Sequence, residues 1–253
     1  MIRRLVLAPS LVEFSGVTSS YNPLYLLTDP FKNGLEACWN FNEASGTFYD
    51  STGNHNLTIT NNVNYQQSGK VSYSAGFLSS DSYARGDTGL NLLTLSISTW
   101  IKTTASIAIG ASIFDKMGYY IDGNSGVRLE MLSGRIAFWT MSGSTQSAQY
   151  SQYAYNNGNW HHIVVTYDYA TSVSNMWIDN VINGGASGSP HTHPIIPNYG
   201  DGNTPITLGN KTAYDVESGY FNGYIDATAV WSRVLDSAEV SFLWNAGDGL
   251  TCA

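Results

Sequence analysis

The chain has 253 residues, of which 43% are hydrophobic and only 12% are charged, and its formal net charge is −8. A chain of this length can bury one large core within a single domain. Binding to nucleic acid is not expected, because phosphate contacts need clustered Lys and Arg that this sequence lacks. No basic amphipathic helix indicates membrane attachment, and we expect no membrane insertion.

Residues 1–33 differ in character from the rest of the chain. They start with basic residues, but Pro9 and Glu13 interrupt the apolar run and no small-residue cleavage site follows. Neither a signal peptide nor a membrane span is therefore predicted. The stretch that ends at Lys32 is too apolar for a solvated tail. Two interpretations remain open: an extra edge strand packed on the domain, or an N-terminal arm that docks the chain onto a larger assembly.

Alternating apolar residues predict β-strands in the middle of the chain. In the segment 94–101, Leu95, Ile97 and Ile101 alternate with other residues, and the same alternation recurs in 134–139. A period of two is typical of a half-buried strand. Frequent Gly, Tyr, Ser, Thr and Asn favour strands joined by tight turns. We expect an all-β protein with many short strands.

Two local signals mark a turn and a helix. Asp179 and Asn180 separate two apolar runs and both tolerate left-handed backbone, which predicts a hairpin turn. Asp236 and Glu239 have the spacing of a capping box, with Gly247 as a stop signal. One short helix near the C-terminus is therefore predicted.

Five motifs occur in order along the chain. They are an opening strand and loop in 34–54, LSISTWIK in 95–102, a hairpin in 113–121, NWHHIVVTYD in 159–168 and GYFNGYIDATAVWSRVLDSAE in 219–239. Together they resemble the laminin-G-like branch of the concanavalin A-like lectin/glucanase superfamily. The resemblance implies a two-sheet antiparallel β-sandwich of the concanavalin A-like jelly-roll type over residues 34–253. Residues 1–33 would then form the arm or extra edge strand.

Catalysis is not expected. The glucanases of the superfamily place carboxylates in an E-x-D-x-x-E pattern on one strand, and retaining hydrolysis needs two carboxyl groups about 5 Å apart. The glutamates of this chain are scattered along the sequence. Asp122 and Glu130 could face each other across a hairpin, and we favour a surface pair over a catalytic pair there. No phosphate loop, G-x-S-x-G motif or cysteine nucleophile is visible. We therefore expect that the protein is not an enzyme. The alternative is a glycoside hydrolase that uses an unrecognised carboxylate pair.

The histidines favour structural roles. His161 and His162 are adjacent on a predicted strand and point to opposite faces, so they cannot share one ion. The resemblance implies that His162 is a packed, hydrogen-bonded core residue. His191 and His193 lie in the Gly- and Pro-rich segment 183–205 without a nearby third zinc ligand, which indicates solvated loop histidines. That segment is either a binding loop or variable decoration.

A structural calcium ion is the cofactor that the resemblance implies. Its candidate ligands are Asp50 and Asn54 of one loop and Asp226 of a later strand, since relatives often bring these positions together around calcium. Alternatively, Asp50 and Asn54 form Asx turns and Asp226 accepts hydrogen bonds from loop amides. Ala227 stands where the family usually has a second acid, which weakens the calcium hypothesis.

The two cysteines could be bonded. In the fold that the resemblance implies, the terminal strands are commonly neighbours, so Cys38 and Cys252 could form a disulfide. The absence of a secretion signal leaves the redox compartment open.

Aromatic residues are the candidates for ligand binding. Sugar rings stack on Tyr and Trp while polar side chains bind the hydroxyls. The candidate ligand-binding residues are Tyr119, Trp139, Tyr150, Tyr153, Tyr155 and Tyr199. The segment 150–156 is the best predicted platform. The alternative is that these tyrosines fill sheet faces or a subunit interface.

Three functions remain under consideration. The first is a non-catalytic glycan-binding or adhesion module on an extracellular or virion surface, such as a bacteriophage capsid-decoration or tail-fibre protein. The second is a purely structural virion subunit, and the third is the hydrolase named above. The expected partners are a carbohydrate or cell-surface glycan and other subunits, as a homo-oligomer or a larger virion assembly joined through residues 1–33.

Overall fold

The chain folds into a β-sandwich. The computed structural model describes residues 30–106, 110–118, 125–143, 145–183, 189–193, 203–211 and 219–252, the side chain of Lys32 excepted. Within these residues two antiparallel sheets form, together with one α-helix near the C-terminus. The all-β sandwich with a short C-terminal helix is therefore confirmed.

The strands are short and are numbered in chain order. Their bounds are β1 (Leu35–Trp39), β2 (Ile59–Asn61), β3 (Val63–Ser68), β4 (Tyr73–Phe77), β5 (Tyr83–Arg85), β6 (Leu95–Lys102), β7 (Ala111–Met117), β8 (Gly126–Leu132), β9 (Arg135–Ser142), β10 (Thr145–Ala154), β11 (Trp160–Asp168), β12 (Val173–Ile178), β13 (Val181–Ile182), β14 (His191–Thr192), β15 (Thr207–Leu208) and β16 (Gly223–Trp231). In the described residues, the larger sheet has the order β13-β12-β11-β6-β16-β4-β3, with β1 also paired to β16 and β14 to β12. The smaller sheet has the order β10-β9-β8-β7-β15-β5-β2.

The main core lies between the two sheets. The larger sheet contributes residues such as Ile97 and Val165, and the smaller sheet contributes Phe114, Leu129 and Phe138, all of them buried. Each such side chain stabilises the fold by about 1.5–3 kcal/mol when it is fully buried. This core fixes the register of both sheets, because a slip by one residue would turn every inward side chain outward.

The outer face of the larger sheet is also covered. The prediction of a half-buried strand at 94–101 is wrong for β6, which is buried from Leu95 to Ile101 because it lies centrally in the sheet. Trp100 stacks on His162 and on Trp244 of the C-terminal helix, with ring centroids 4.9 and 5.2 Å apart. A second apolar cluster therefore fills this layer beneath the helix.

A disulfide closes the same layer. Cys38 of β1 is bonded to Cys252 across a sequence separation of 214 residues, and both cysteines are buried. The pairing that the sequence left open is thus present. It attaches the C-terminal segment to the outer face of the larger sheet.

Both local signals from the sequence are confirmed. Asp179 and Asn180 have φ angles of 52° and 63° in the turn between β12 and β13. The helix α1 (Ser237–Trp244) starts with a complete capping box between Asp236 and Glu239. The helix ends before the predicted stop at Gly247, because Asn245 adopts the left-handed conformation at the C-cap.

The described chain begins against the helix-covered face. A 3₁₀ turn (Pro30–Lys32) packs there, with the Trp231 indole donating a hydrogen bond of 2.7 Å to the Pro30 carbonyl. Phe31 packs on the same indole at a centroid distance of 6.2 Å. Residues 1–29 lie outside the described residues, so the arm or edge strand stays a prediction. In the part of the chain that is described, no helix has the length and apolarity needed to cross a bilayer.

Candidate functional site

The outer face of the smaller sheet carries an unusual set of polar residues. On the inward face, Phe138, Leu129, Phe114, Leu208 and Ala84 lie opposite one another and belong to the core. Because side chains alternate along a strand, the next residues point outward. We call them the outward row: Trp139, Arg128, Asp115, Thr207 and Arg85, which lie opposite one another across β9, β8, β7, β15 and β5.

The centre of the outward row is a buried ion pair. The Arg128 guanidinium donates to both carboxylate oxygens of Asp115 at 3.2 Å, and the Met117 amide donates to Oδ1 at 3.0 Å. Asp115 is fully buried and Arg128 is only 8% exposed. A two-point contact of this kind holds both side chains in fixed positions. Asp115 is therefore committed to Arg128.

Glu130 is the second acid on this face. It lies on β8, opposite Ser112 of β7 and Ala137 of β9, and its side chain is 5% exposed. Burial raises the pKa of Glu130, whereas the positive charges of Lys211, at 3.8 Å, and of Arg128 act to lower it. A Cβ at Gly110 would come within 2.6 Å of both carboxylate oxygens, so the carboxyl group fits closely against this glycine.

Two polar groups beside Glu130 make no regular hydrogen bond to the described residues. Within the described part of the chain, the Ser112 hydroxyl and the Trp139 indole nitrogen are buried without a hydrogen bond. The Trp139 N–H lies beside the Glu130 carboxyl and lowers its pKa without reaching hydrogen-bond geometry. Buried polar groups are rarely left unpaired, and such groups are places where water or a ligand binds.

Aromatic rings border this cluster. Trp139 and Tyr150 pack edge to face with ring centroids 5.8 Å apart, and both are partly buried. The pKa of Tyr150 is raised by burial and by the nearby Glu130 charge. We define the Glu130 cluster as Ser112, Glu130, Trp139, Tyr150 and Lys211. Its chemistry combines a carboxyl group, an ammonium group, unpaired donors and two ring surfaces.

The predicted aromatic platform divides into different environments. Tyr153 is 62% exposed, whereas Tyr155 packs against the core and accepts a hydrogen bond of 2.7 Å from Asn183. Tyr155 also contacts His161 edge to face, which indicates a structural role. Tyr119 and Tyr199 lie outside the described residues.

The three predicted calcium ligands lie in two separate hydrogen-bond networks. Asp50 accepts hydrogen bonds from the amides of Cys38, Thr52, Asn54 and His55 and from the Thr52 hydroxyl. Burial alone would raise the pKa of Asp50, but these hydrogen bonds hold it below its usual value. With both oxygens used by donors, Asp50 fits the organiser of a turn better than a metal ligand.

Asp226 is the stronger of the candidate ligands. Its Oδ2 accepts hydrogen bonds from the amides of Lys70 and Val71 at 2.7 and 2.8 Å, and Oδ1 is buried without a partner in the described residues. Burial raises the pKa of Asp226 to about 6. No group of three or more His, Cys, Asp or Glu residues suited to a metal is found in the described ranges. The structural calcium ion stays a prediction.

The histidines are packed groups. His162 donates to or accepts from the Ser98 hydroxyl at 2.8 Å and is 1% exposed, as predicted for a core histidine. The prediction of solvated loop histidines is wrong for His193, which is 2% exposed and hydrogen-bonded to Thr140 and Ser174. The segment 191–192 forms strand β14 against β12, and this pairing draws His193 inward.

Sequence reasoning placed Glu130 at the surface, whereas the structure buries it. The alternation of Val127, Leu129 and Met131 with Arg128 and Glu130 is that of a strand with one polar face. Such a pattern can identify the outward face of the strand. It does not show that Lys211, which lies far along the chain, packs over Glu130. Asp122, its considered partner, lies outside the described residues.

Solved structures with the same fold include two binding domains. The binding domain of botulinum neurotoxin DC, in complex with SialylT, has a TM-score of 0.64 and 15% identity over 84% of this chain and 51% of that chain. The binding domain of Paraclostridial Mosquitocidal Protein 1 has a TM-score of 0.66 and 17% identity over 86% of this chain and 53% of that chain. The chain thus spans about half the length of these two domains.

A third structure matches along nearly its whole length. Domain 4 of AbnA, a GH43 extracellular arabinanase from Geobacillus stearothermophilus, in complex with arabinotriose, has a TM-score of 0.60 and 19% identity. The match covers 82% of this chain and 97% of that domain. At such identities the likeness shows the fold alone.

Sequence comparison identifies the family. No curated protein matches the chain. The family model described as the Concanavalin A-like lectin/glucanases superfamily, of the laminin G type, matches residues 77–241. This match covers more than half of the chain and agrees with the two-sheet sandwich. The chain therefore belongs to the concanavalin A-like lectin/glucanases superfamily.

Proposed function

We propose that the chain is a non-catalytic glycan-binding module and that glycan binds at the Glu130 cluster. The observation that carries this proposal is the Trp139–Tyr150 ring pair beside the buried Glu130 carboxyl. A ring surface suits the C–H face of a sugar, and a carboxylate suits its hydroxyls. The Ser112 hydroxyl, which has no hydrogen-bond partner among the described residues, and the Trp139 N–H beside Glu130 supply further hydrogen-bonding groups at the same place.

The structural neighbours support the ligand class. One is a botulinum toxin binding domain solved in complex with SialylT, and another is an arabinanase domain solved with arabinotriose. Their ligands belong to those proteins, and the low identities carry no residue across. They make a carbohydrate the first ligand class to test for this chain.

A glycan array of the purified chain tests the proposal, with calcium and with chelator. We expect binding that Trp139→Ala and Tyr150→Ala weaken tenfold or more, since buried aromatic anchors dominate such contacts. Tyr49→Ala is the matched control, because Tyr49 is a 63% exposed tyrosine outside the cluster. An array without hits, or hits that neither variant weakens, contradicts glycan binding at this cluster. Loss with chelator would support the calcium hypothesis instead of an aromatic site alone.

Hydrolysis is a second candidate because two buried carboxyl groups, Asp115 and Glu130, face outward on neighbouring strands. A retaining enzyme needs one of them to attack the sugar. Asp115 is fully buried and bonded to Arg128 at both oxygens, which disfavours that role. We expect no release of reducing ends from any glycan that binds, and release that Glu130→Gln abolishes would establish the hydrolase.

We further propose that the module acts on an extracellular surface, as a capsid-decoration or tail-fibre protein of a bacteriophage virion. The buried Cys38–Cys252 disulfide suits an oxidising exterior, and residues 1–33 are apolar enough to join subunits into a homo-oligomer or a larger assembly. An antibody against the chain should label intact virus particles in electron micrographs. Label confined to the cell envelope contradicts the virion assignment. A purely structural subunit would label particles yet bind no glycan.

A further inference from the structure

A polar groove lies at the edge of the sandwich, away from the Glu130 cluster. Its volume is about 530 Å³, and it is widely open to solvent. We define the Asp81 groove by its lining residues, which are Asn62, Val63, Asn64, Leu78, Ser79 and Asp81. The groove lies where the connections β2–β3 and β4–β5 cross from one sheet to the other. Its walls are therefore held by both sheets.

The Asp81 carboxylate is exposed and yet fixed in orientation. Ser79 Oγ donates to Oδ1 at 2.7 Å, and the Asn62 and Asn61 amides donate to Oδ2 at 2.6 and 3.3 Å. The hydrogen bond from Ser79, together with those from the amides, lowers the pKa of Asp81. The carboxylate is exposed to solvent, so its oxygens can still accept a hydrogen bond from a ligand donor.

The loop that carries Asp81 is itself anchored. Ser82 is fully buried, and its hydroxyl donates to the Asn62 carbonyl at 2.7 Å. The Ser79 amide donates to the same hydroxyl at 3.1 Å. These bonds join the two walls of the groove, so the carboxylate is organised before any ligand arrives. Such preorganisation reduces the entropy that binding would otherwise cost.

The groove also offers an apolar surface and an unused carboxamide. Leu78 is 39% exposed beside Asp81, and Val63 forms a buried floor. Asn64 is exposed, and its side chain makes no hydrogen bond within the described residues. An acceptor, an amide and an aliphatic surface thus lie together.

We propose that the Asp81 groove is a second carbohydrate site, which takes a neutral sugar without a metal ion. One sugar hydroxyl donates to Asp81, a neighbouring hydroxyl bonds the Asn64 amide, and the C–H face of the ring covers Leu78. A cation fits poorly, because N–H and O–H donors surround the carboxylate and would point at the ion. The Asp81 charge disfavours an anionic sugar.

This site is separate from the Glu130 cluster. Trp139 lies on β9, and the Asp81 loop leads into β5, four strand spacings away in the smaller sheet. At about 4.8 Å per strand this is about 19 Å. A chain with two sites on one module can bind a branched or repeated glycan more tightly than either site alone. The inference does not depend on binding at the Glu130 cluster.

Saturation-transfer NMR with the methyl glycosides of mannose, galactose, glucose and N-acetylglucosamine tests the inference. The sugars are tested on the Trp139→Ala/Tyr150→Ala variant, so that binding at the Asp81 groove is measured without binding at the Glu130 cluster. We expect one or more of these sugars to bind, and Asp81→Asn or Asn64→Ala to weaken that binding at least tenfold. Asp248→Asn, which replaces another exposed acid, should leave the binding unchanged.

Three results would overturn the inference. The first is that no sugar of the panel binds to the Trp139→Ala/Tyr150→Ala background. The second is that Asp81→Asn and Asn64→Ala leave sugar binding intact. The third is that the chain binds calcium alone and Asp81→Asn abolishes that binding, which would make the groove a cation site. Failure of the proposed function is distinguishable, since it would appear as wild-type binding that Trp139→Ala and Tyr150→Ala do not reduce.

Discussion

Asp226 is predicted to destabilise the folded protein at neutral pH. Burial raises its pKa from 3.8 to about 6, and its Oδ1 is buried without a partner in the described residues. Because the pKa is higher in the folded state, that state binds a proton between about pH 4 and pH 6 that the unfolded chain has released. The stability that this proton supplies is complete below the unfolded pKa and is lost as the pH rises through the folded pKa.

The substitution Asp226→Asn removes this dependence. A shift of about 2 pKa units corresponds to about 3 kcal/mol, which is the cost of ionising the buried group. Asparagine keeps one oxygen for the amides of Lys70 and Val71 and carries no charge at any pH. From pH 7.5 down to pH 4.5, the wild type should gain about 2 kcal/mol of stability relative to the variant. The absolute difference also includes the cost of burying a new amide, so the change with pH carries the test.

Urea unfolding of both proteins at several pH values, in EDTA, measures the change. Asp248→Asn replaces an exposed acid and serves as the control. A wild-type-to-variant difference that does not vary with pH would refute the reasoning from burial. Repeating the series with calcium separates the two roles of Asp226. If it is a calcium ligand, calcium will stabilise the wild type at pH 7.5 and leave Asp226→Asn unaffected.

Three further outcomes are expected. Replacing Cys38 and Cys252 by Ala should lower the free energy of unfolding by about 5 kcal/mol and the melting temperature by about 10–20 °C, because the bond closes a loop of 214 residues. A loss below about 1 kcal/mol in denaturant titrations would contradict this expectation. Asp236→Ala should lower the free energy of unfolding by about 0.5–2 kcal/mol in the same assay, since it removes the acceptor for two helix N-terminal amides. Asp236→Asn keeps an acceptor oxygen and should retain most of that stability. Burial lowers the pKa of both His162 and His193 to about 3. The stability that their neutral forms supply is therefore complete above pH 6.5 and is lost as the pH falls, by about 4 kcal/mol at pH 5, and the protonation of Asp226 offsets part of this loss. Unfolding midpoints that stay constant from pH 7 to pH 5 would contradict this expectation.

Local sequence signals predicted local structure well. The capping box at Asp236 and Glu239 and the left-handed pair Asp179 and Asn180 need only their own neighbours in the chain, and both form as predicted. Burial of β6 was underestimated, because the residues that cover its outer face come from the C-terminal helix. Trp100 is buried by Trp244, and no pattern within the strand indicates that contact.

The arrangement of the candidate site was predictable only in part. Trp139 and Tyr150 were identified from their aromatic character and do lie together. The sequence favours a surface position for Glu130, but the structure buries it against Gly110 and Lys211, which are close to it in space and not in sequence. Alternation reports which face of a strand is polar. It does not report what covers that face.

The cover over the larger sheet limits where a ligand can bind. Its outer face is filled by α1, by the second apolar cluster and by the Cys38–Cys252 bond, so a glycan would have to displace buried groups to reach it. The inward faces of both sheets form the core. In the described structure, the partly exposed rings of Trp139 and Tyr150 on the outer face of the smaller sheet and the loops that join the two sheets can be reached from solvent. The Glu130 cluster occupies the first and the Asp81 groove the second, which is why substitutions at Trp139 and at Asp81 should act on different binding events.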